Sequence, residues 1–348
     1  MRDGLADSFR RLIASDGPIS VARFMGESNA HYYASRDPLG SAGDFITAPE
    51  ISQMFGELMG LLLADVWDRA GRPRDAIYAE LGPGRGTLAK DALRAMAGAG
   101  LRPEVYLVEG SPALRAVQAA ALPGARFHQD TATLPEDCPL LLLANEFLDA
   151  LPIRQLVRTE GGWRERMIAV EADAFAFVAG PRPMDQAVPV ELADSPAGTI
   201  IETSPGAAAV VEEIARRLAL QGGTALFVDY GHLNPRTGST LQAVRAHRKV
   251  DPLAHPGEAD LTAHVDFSIL TQIARRAGCR VKTATQGEWL TAMGIDVRAA
   301  ALARSAPDQA QAIAAARDRL IATDQMGELF KVMAIASPDW PDGAGFAS

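Results

Sequence analysis

The chain is 348 residues long, more than one hydrophobic core usually organises, so a large domain with an appendage or two domains are expected. Hydrophobic residues make up 48% and charged residues 22%, which excludes a chain too polar to bury a core. Acids outnumber bases by 43 to 34, and a formal charge of −9 with scattered arginines repels phosphate backbones, so nucleic acid is a poor partner.

Residues 1–71 read as helical around a central loop. That loop is rich in turn formers yet carries Tyr32, Tyr33 and Phe45, which serve either as a lid over a site or as ordinary core aromatics. Pro49 is expected to start a helix whose Ile51, Phe55, Leu58, Leu62 and Val66 share one face and which Gly71 ends. From Asp75 onward short apolar runs alternate with helices, the pattern of βαβ units and a parallel sheet. Strands are predicted at 76–81, 105–108, 126–128, 140–144 and 224–229, with helices at 87–96, from Ser111-Pro112 towards Leu122, and at about 205–220 before a Gly222-Gly223 stop. The unbroken leucines of the fourth strand suit burial on both faces.

Beyond a loop-rich stretch come a helix at about 267–277, a strand around Val281, an alanine-rich helical run at 299–317 and a last strand at 329–335. Within the insertion between the fourth and fifth strands, 155–159 and 163–170 flank a Glu-Gly-Gly turn as an antiparallel hairpin. An insertion there follows the carboxyl end of a strand, where open α/β sheets bind ligands. The expected division is an N-terminal region 1–71, a core of 72–150 with 223–348, and an insertion 151–222, the first and last shaping a substrate site.

Cys138 and Cys279 lie far apart without a Cys-x-x-Cys or His-rich companion, so neither a disulfide framework nor a metal site is indicated, and a cytoplasmic setting is expected. The opening Met1-Arg2-Asp3-Gly4 does not read as a targeting segment. The most apolar run, 58–64, is flanked by Glu57 and Asp65 and falls far short of the ~20 residues that cross a bilayer, so no membrane insertion is expected and the chain reads as soluble.

Glu80-Leu81-Gly82-Pro83-Gly84-Arg85-Gly86-Thr87 follows a strand and opens a helix, so its glycines let backbone approach a ligand at the helix N-terminus. Glu109 ends the second strand 23 residues beyond Gly86, where an acid accepts ribose hydroxyls in nucleoside sites. Gly82-x-Gly84-x-Gly86 resembles the methyltransferase rhythm, whereas a dinucleotide loop is G-x-G-x-x-G and position 87 is Thr. Asp130, past the third strand, is placed either to accept from an adenine amino group or to form a turn before Thr131.

Further segments complete a pattern: Gly43-Asp44-Phe45-Ile46-Thr47-Ala48-Pro49, Glu109-Gly110-Ser111-Pro112, Asn145-Glu146-Phe147-Leu148-Asp149, Val228-Asp229-Tyr230-Gly231, Asp260-Leu261-Thr262-Ala263-His264 and Met326-Gly327-Glu328-Leu329. In this order, over nearly the whole chain, they resemble the MidA-like family, whose mitochondrial members help assemble respiratory complex I. The resemblance implies a class I methyltransferase fold, an α/β Rossmann-like sheet of seven strands with an N-terminal helical region and an inserted hairpin subdomain. It implies S-adenosyl-L-methionine as cofactor, a protein arginine as acceptor and, for the mitochondrial relatives, symmetric dimethylation in a complex I subunit. Cofactor contacts are expected from Glu80, Gly82, Gly84, Gly86, Thr87, Glu109, Asp130 and Asn145, and substrate or lid contacts from Asp44, Phe45, Thr47, Asp229 and Tyr230.

A guanidinium is always charged and must be gripped by carboxylates, ideally through paired hydrogen bonds. Glu146 and Asp149 follow the fourth strand, and if a helix starts there their three-residue spacing puts both on one face. They are the candidate catalytic pair; the plainer alternative is a cluster stabilised by a helix dipole. His232 and His264 are weaker candidates for a base. A non-catalytic assembly factor built on the same fold, a small-molecule methyltransferase and an NAD-dependent oxidoreductase remain alternatives.

Overall fold

The computed structural model describes residues 4–35, 47–245 and 248–347. Asp44 and Phe45, expected at the substrate side, lie outside the described residues. The chain divides into two compact units, one of Met1–Pro38, Asp149–Ala207 and Asn234–Val265, the other of Leu39–Leu148, Ala208–Leu233 and Asp266–Ser348. This differs from the division expected from sequence. The helices before residue 36 pack with the inserted hairpin, whereas the helix at 53–69 packs into the sheet unit, so residues 1–71 are not one region.

Seven strands organise the larger unit: β1 Ile77–Leu81, β2 Glu104–Val108, β3 Arg126–His128, β4 Leu140–Asn145, β5 Gly223–His232, β6 Arg280–Thr285 and β7 Phe330–Ala336. Their order across the sheet is β6-β7-β5-β4-β1-β2-β3. All neighbours pair in parallel except β7, which runs antiparallel to both β5 and β6. Leu140, Leu141, Leu142 and Leu143 are wholly buried, as befits a central strand covered on both faces. Strand order reverses beside β1, with β2 on one side and β4 on the other, the switch point at which open sheets bind ligands. The register pairs Leu81 with Val108 and with Ala144, and Val228 with Asn145. The loops carrying Gly82, Glu109 and Glu146 therefore leave the sheet along one edge, beside the last residues of β5.

Helix α1, Gln53–Arg69, packs against α2, Thr87–Gly98, through glycines: a Cβ on Gly60 would stand 2.3 Å from the Ala92 carbonyl oxygen, and one on Gly56 2.7 Å from Asp91 Cβ. This close approach fixes α2, whose N-terminus meets the glycine loop. The helix expected from Pro49 is interrupted at Ser52, which is extended (φ −161°, ψ 139°) and caps α1 by accepting the Met54 amide at 3.2 Å. Likewise Pro307 divides the alanine-rich run into Ile295–Ser305 and Ala310–Ile321, because its ring cannot continue a helix. Leu329 ends a single helical turn, Met326–Leu329, and the last strand starts one residue later.

In the smaller unit the hairpin pairs Arg154–Thr159 with Gly162–Glu171, Thr159 facing Gly162. Three partners that sequence did not show extend it among the described residues, Ala174–Pro183, Ile200–Thr203 and the short Ile19–Ser20. The turn into the first of these places Ala172 and Asp173 at φ 46° and 64°, a left-handed pair without the Asn-Gly signature. Phe9 and Phe24 stack at 4.9 Å, with Phe175 edge-on to both. A small sheet of Gln242–Arg245, Arg248–Val250 and Asp260–Thr262 occupies the stretch that sequence left as loop. Tyr32 is fully buried, and Tyr33, half-buried, donates to Asp260 Oδ1 at 2.9 Å, the packing of core aromatics within this unit. Among the described residues, no helix is long and apolar enough to cross a membrane.

Candidate functional site

Gly82, Gly84 and Gly86 all adopt left-handed backbone, with φ of 59°, 54° and 79°. A Cβ on Gly82 would lie 2.9 Å from the Phe147 ring, so the loop is as tight as the absence of side chains permits. Gly86 then hands the chain to α2, with Thr87 as its first residue. A cavity of about 70 Å³ opens over this turn, lined by Thr47, Glu80, Gly82, Gly84, Thr87, Asn145 and Glu146 among others. Glu80 is buried beneath it, holds a hydrogen bond from the Tyr78 hydroxyl, and has its carboxyl raised to about 7 by desolvation.

A second cavity, about 250 Å³, shares Gly82 with the first and runs past Val108, Glu109, Asp130 and Phe147. The Glu109 carboxylate is set by two donors, the Ser111 amide on Oε1 at 2.8 Å and Gln118 Nε2 on Oε2 at 3.1 Å. Each carboxylate oxygen has a further lone pair, so the geometry suits acceptance of two vicinal hydroxyls. Asp130 forms the turn that its position allowed, accepting the Thr133 amide at 3.2 Å, and it also lines the cavity. The chemistry of this donor set fits a nucleoside: an acceptor carboxylate, an apolar wall from Val108 and Phe147, and a second acid at the far end.

Gln118 was not singled out from sequence. It lies on α3, Pro112–Ala121, four residues from Leu114 on the buried face, so a polar residue at a core register was the available signal. Arg115, three residues before it, ties the ends of β2 and β3 by donating to the Glu109 and His128 carbonyls at 2.7 and 3.0 Å.

On the other side of Gly82, Asn145 ends β4 and its Oδ1 is buried without a hydrogen-bond partner. Its Nδ2 donates to Glu146 Oε1 at 3.0 Å, and the Ala48 amide reaches the same oxygen at 3.3 Å. Glu146 has φ 50°, an uncommon conformation for a residue with a side chain. Asp229, expected to line this pocket, instead accepts the amides of Phe147, Leu148 and its own neighbour Tyr230. Tyr230 packs on Phe330, ring centroids 4.1 Å apart.

The condition of a helix starting at Glu146 is not met. Strand β4 continues to Asn145, the Glu146 amide still donates to the Val228 carbonyl, and Asp229 then captures the amides of Phe147 and Leu148 in a bend, so the three-residue spacing does not put Glu146 and Asp149 on one helical face. Asp149 is buried in the smaller unit, where its carbonyl accepts the Ala263 amide. Of the candidate bases, His264 donates its amide to Thr240 Oγ1 at 2.9 Å, and His232 lies 3.8 Å from Asp266.

Comparison with known proteins matches residues 58–285 to a family described as "Putative S-adenosyl-L-methionine-dependent methyltransferase". The protein arginine methyltransferase NDUFAF7, mitochondrial, of Xenopus tropicalis is 36% identical over 96% of this chain and 87% of its own length. The human protein of the same name is 35% identical over 93% and 81%. A crystal structure from Burkholderia thailandensis bound to S-adenosyl-homocysteine superposes with a TM-score of 0.85 at 32% identity, covering 97% of this chain and 93% of that one. The curated relatives carry the word mitochondrial in their names, which overturns the cytoplasmic setting expected from cysteine usage and the N-terminus. Two buried cysteines speak only of a reducing environment, and that does not distinguish compartments. With a matching family model across most of the sheet unit and relatives along nine-tenths of its length, the chain belongs to the MidA-like family of S-adenosylmethionine-dependent methyltransferases, and S-adenosylmethionine is its cofactor.

Proposed function

We propose that this protein transfers methyl groups from S-adenosylmethionine to an arginine side chain of another protein, with symmetric dimethylation of a respiratory complex I subunit as the specific reading. The observation that carries it is the Glu146 carboxylate, pinned by Asn145 and Ala48 at the wall of the cavity above the glycine loop. The names of the curated relatives support the acceptor.

Gly82, Gly84, Gly86 and Thr87 would cradle the cofactor, Glu109 its ribose and Asp130 its adenine, while Glu80 and Asn145 Oδ1 accept from its ammonium group. When bound, it supplies a methyl group on a positively charged sulfur, open to in-line displacement. Glu146 grips the guanidinium through charge-assisted hydrogen bonds and aligns one nitrogen with that methyl group. Transfer would exchange the sulfur–methyl bond for a nitrogen–methyl bond and leave a neutral thioether, and Glu146 would receive the proton that the nitrogen loses. Thr47 and Tyr230 border the acceptor, and Asp229 holds the loop that carries Glu146.

Incubating the protein with methyl-labelled S-adenosylmethionine and a lysate of its own organism, followed by mass spectrometry, tests the reading. The expected label is on an arginine, carried as symmetric dimethylarginine; label confined to lysines or to small molecules overturns it.

A further inference from the structure

Gln118 is fully buried on α3, yet its side chain spans two parts of the site that are far apart in sequence. Its Nε2 donates to the Gly84 carbonyl at 2.7 Å and to Glu109 Oε2 at 3.1 Å. The opposite amide orientation would turn an oxygen towards two acceptors, so chemistry fixes which atom points where. The same residue leaves Oε1 buried without a partner, a cost the fold carries to keep the donor in place. An apolar residue at this core register would avoid that cost, but would leave Gly84 and Glu109 unlinked.

We propose that Gln118 is a positioning residue that couples the glycine loop to the ribose carboxylate and thereby sets affinity for the nucleoside half of the cofactor. Glu109 is held from both sides, by Ser111 and by Gln118, so that its outward lone pairs keep the spacing of the two ribose hydroxyls. Removing Gln118 leaves only the Ser111 tether, and the carboxylate is then free to rotate about the oxygen held there. The Gly84 turn loses its own tether in the same step. The proposal rests on the assignment of Glu109 to ribose.

The test uses the full chain and two ligands, S-adenosyl-homocysteine and its 2′-deoxy analogue, titrated into wild type, Gln118→Met, Glu109→Gln and the double variant. Methionine matches glutamine in length and is at home in a core. The melting temperature of each unliganded variant checks that it is folded. Expected are at least a tenfold loss of S-adenosyl-homocysteine affinity in Gln118→Met, a smaller preference for the ribose over the deoxyribose ligand, and a double variant little worse than Glu109→Gln. A role confined to packing would weaken both ligands equally and leave the preference intact, which overturns the proposal. Gln118→Glu supplies a second readout should Gln118→Met fail to fold. Only its protonated carboxyl can donate to Glu109, so its affinity should recover as pH falls, and a flat pH profile counts against the proposal. Unchanged binding by Glu109→Gln overturns the ribose assignment itself; weakened Glu109→Gln beside an unaffected Gln118→Met overturns only the coupling.

Discussion

The Asp229 carboxylate, at the end of β5, receives the Leu148 amide at 2.8 Å from the loop that follows the neighbouring strand. The Phe147 amide joins it on the same oxygen at 3.1 Å, and the Tyr230 amide occupies the other oxygen at 2.9 Å. With 1% of its surface exposed, Asp229 organises backbone and is not a surface acid.

Asp229→Asn should therefore disturb the Glu146 loop. The new amide group must face a backbone donor on one side, and the remaining bonds lose their charge assistance. About 1.5–3 kcal/mol of stability should be lost, the range for hydrogen bonds to charged groups. Chemical denaturation measures it; a variant as stable as wild type would remove Asp229 from this role.

These relationships mark the limit of what the sequence disclosed. The glycine loop, the helix after it and Glu109 were legible because strand, tight turn and helix start are local features with local chemistry. The roles of Asp229 and Gln118 were not, because each depends on which strand or loop lies beside it in space. Whether a helix starts at Glu146–Asp149 was open in the sequence for the same reason, and none forms. These residues are competent helix formers, but β4 pairs with β5 through Asn145, and Asp229 takes the Phe147 and Leu148 amides, so the backbone turns into a bend with Glu146 at positive φ. In the smaller unit the third hairpin strand was hidden by an Ala172-Asp173 turn whose residues give no warning of left-handed geometry.

Glu80 makes stability depend on pH. Burial raises its carboxyl from 4.5 to about 7, so the folded state binds a proton that the unfolded chain has already released, and stability falls as pH rises from about 4.5 to about 7. The shift corresponds to about 3 kcal/mol at most. Glu80→Gln keeps an acceptor for the Tyr78 hydroxyl and removes the charge. Relative to wild type, unliganded Glu80→Gln should gain stability between pH 5 and pH 8. Parallel stability curves for the two proteins would show that Glu80 does not titrate in that window.

Two glycine substitutions should separate fold from site. A Cβ at Gly60 meets the Ala92 backbone, which cannot yield without moving α2, so Gly60→Ala should cost about 1–3 kcal/mol through overpacking. At Gly82 the added carbon meets the Phe147 ring, which can swing, although the left-handed backbone adds about 1–2 kcal/mol of strain. The ring is a wall of the Glu109 cavity, so Gly82→Ala should weaken cofactor binding out of proportion to its effect on melting. Calorimetric titration of both variants decides: a Gly82→Ala protein that binds as wild type does would detach the glycine loop from the cofactor.

Glu146 bears most directly on the acceptor. Its backbone is strained, and its carboxylate is held on Oε1 by Asn145 and Ala48. Glu146→Gln keeps the shape but replaces a charged acceptor with a neutral amide, half of which is a donor turned towards a guanidinium that offers only donors. Affinity for S-adenosylmethionine should change little, because Glu146 is not itself an assigned cofactor contact and the glutamine oxygen still accepts from Asn145 Nδ2. Transfer to a protein arginine should slow by about 100-fold or more, the scale reported for losing one electrostatic contact in a reacting site. Single-turnover transfer to the substrate identified by labelling measures this, beside a substrate in which the target arginine is replaced by lysine. Donor binding and turnover should thus come apart. Wild-type rates from Glu146→Gln would take this carboxylate out of the reaction, leaving its strained backbone as a consequence of the bend that Asp229 imposes. Continued methylation of the lysine substrate at the same position would refute the arginine acceptor.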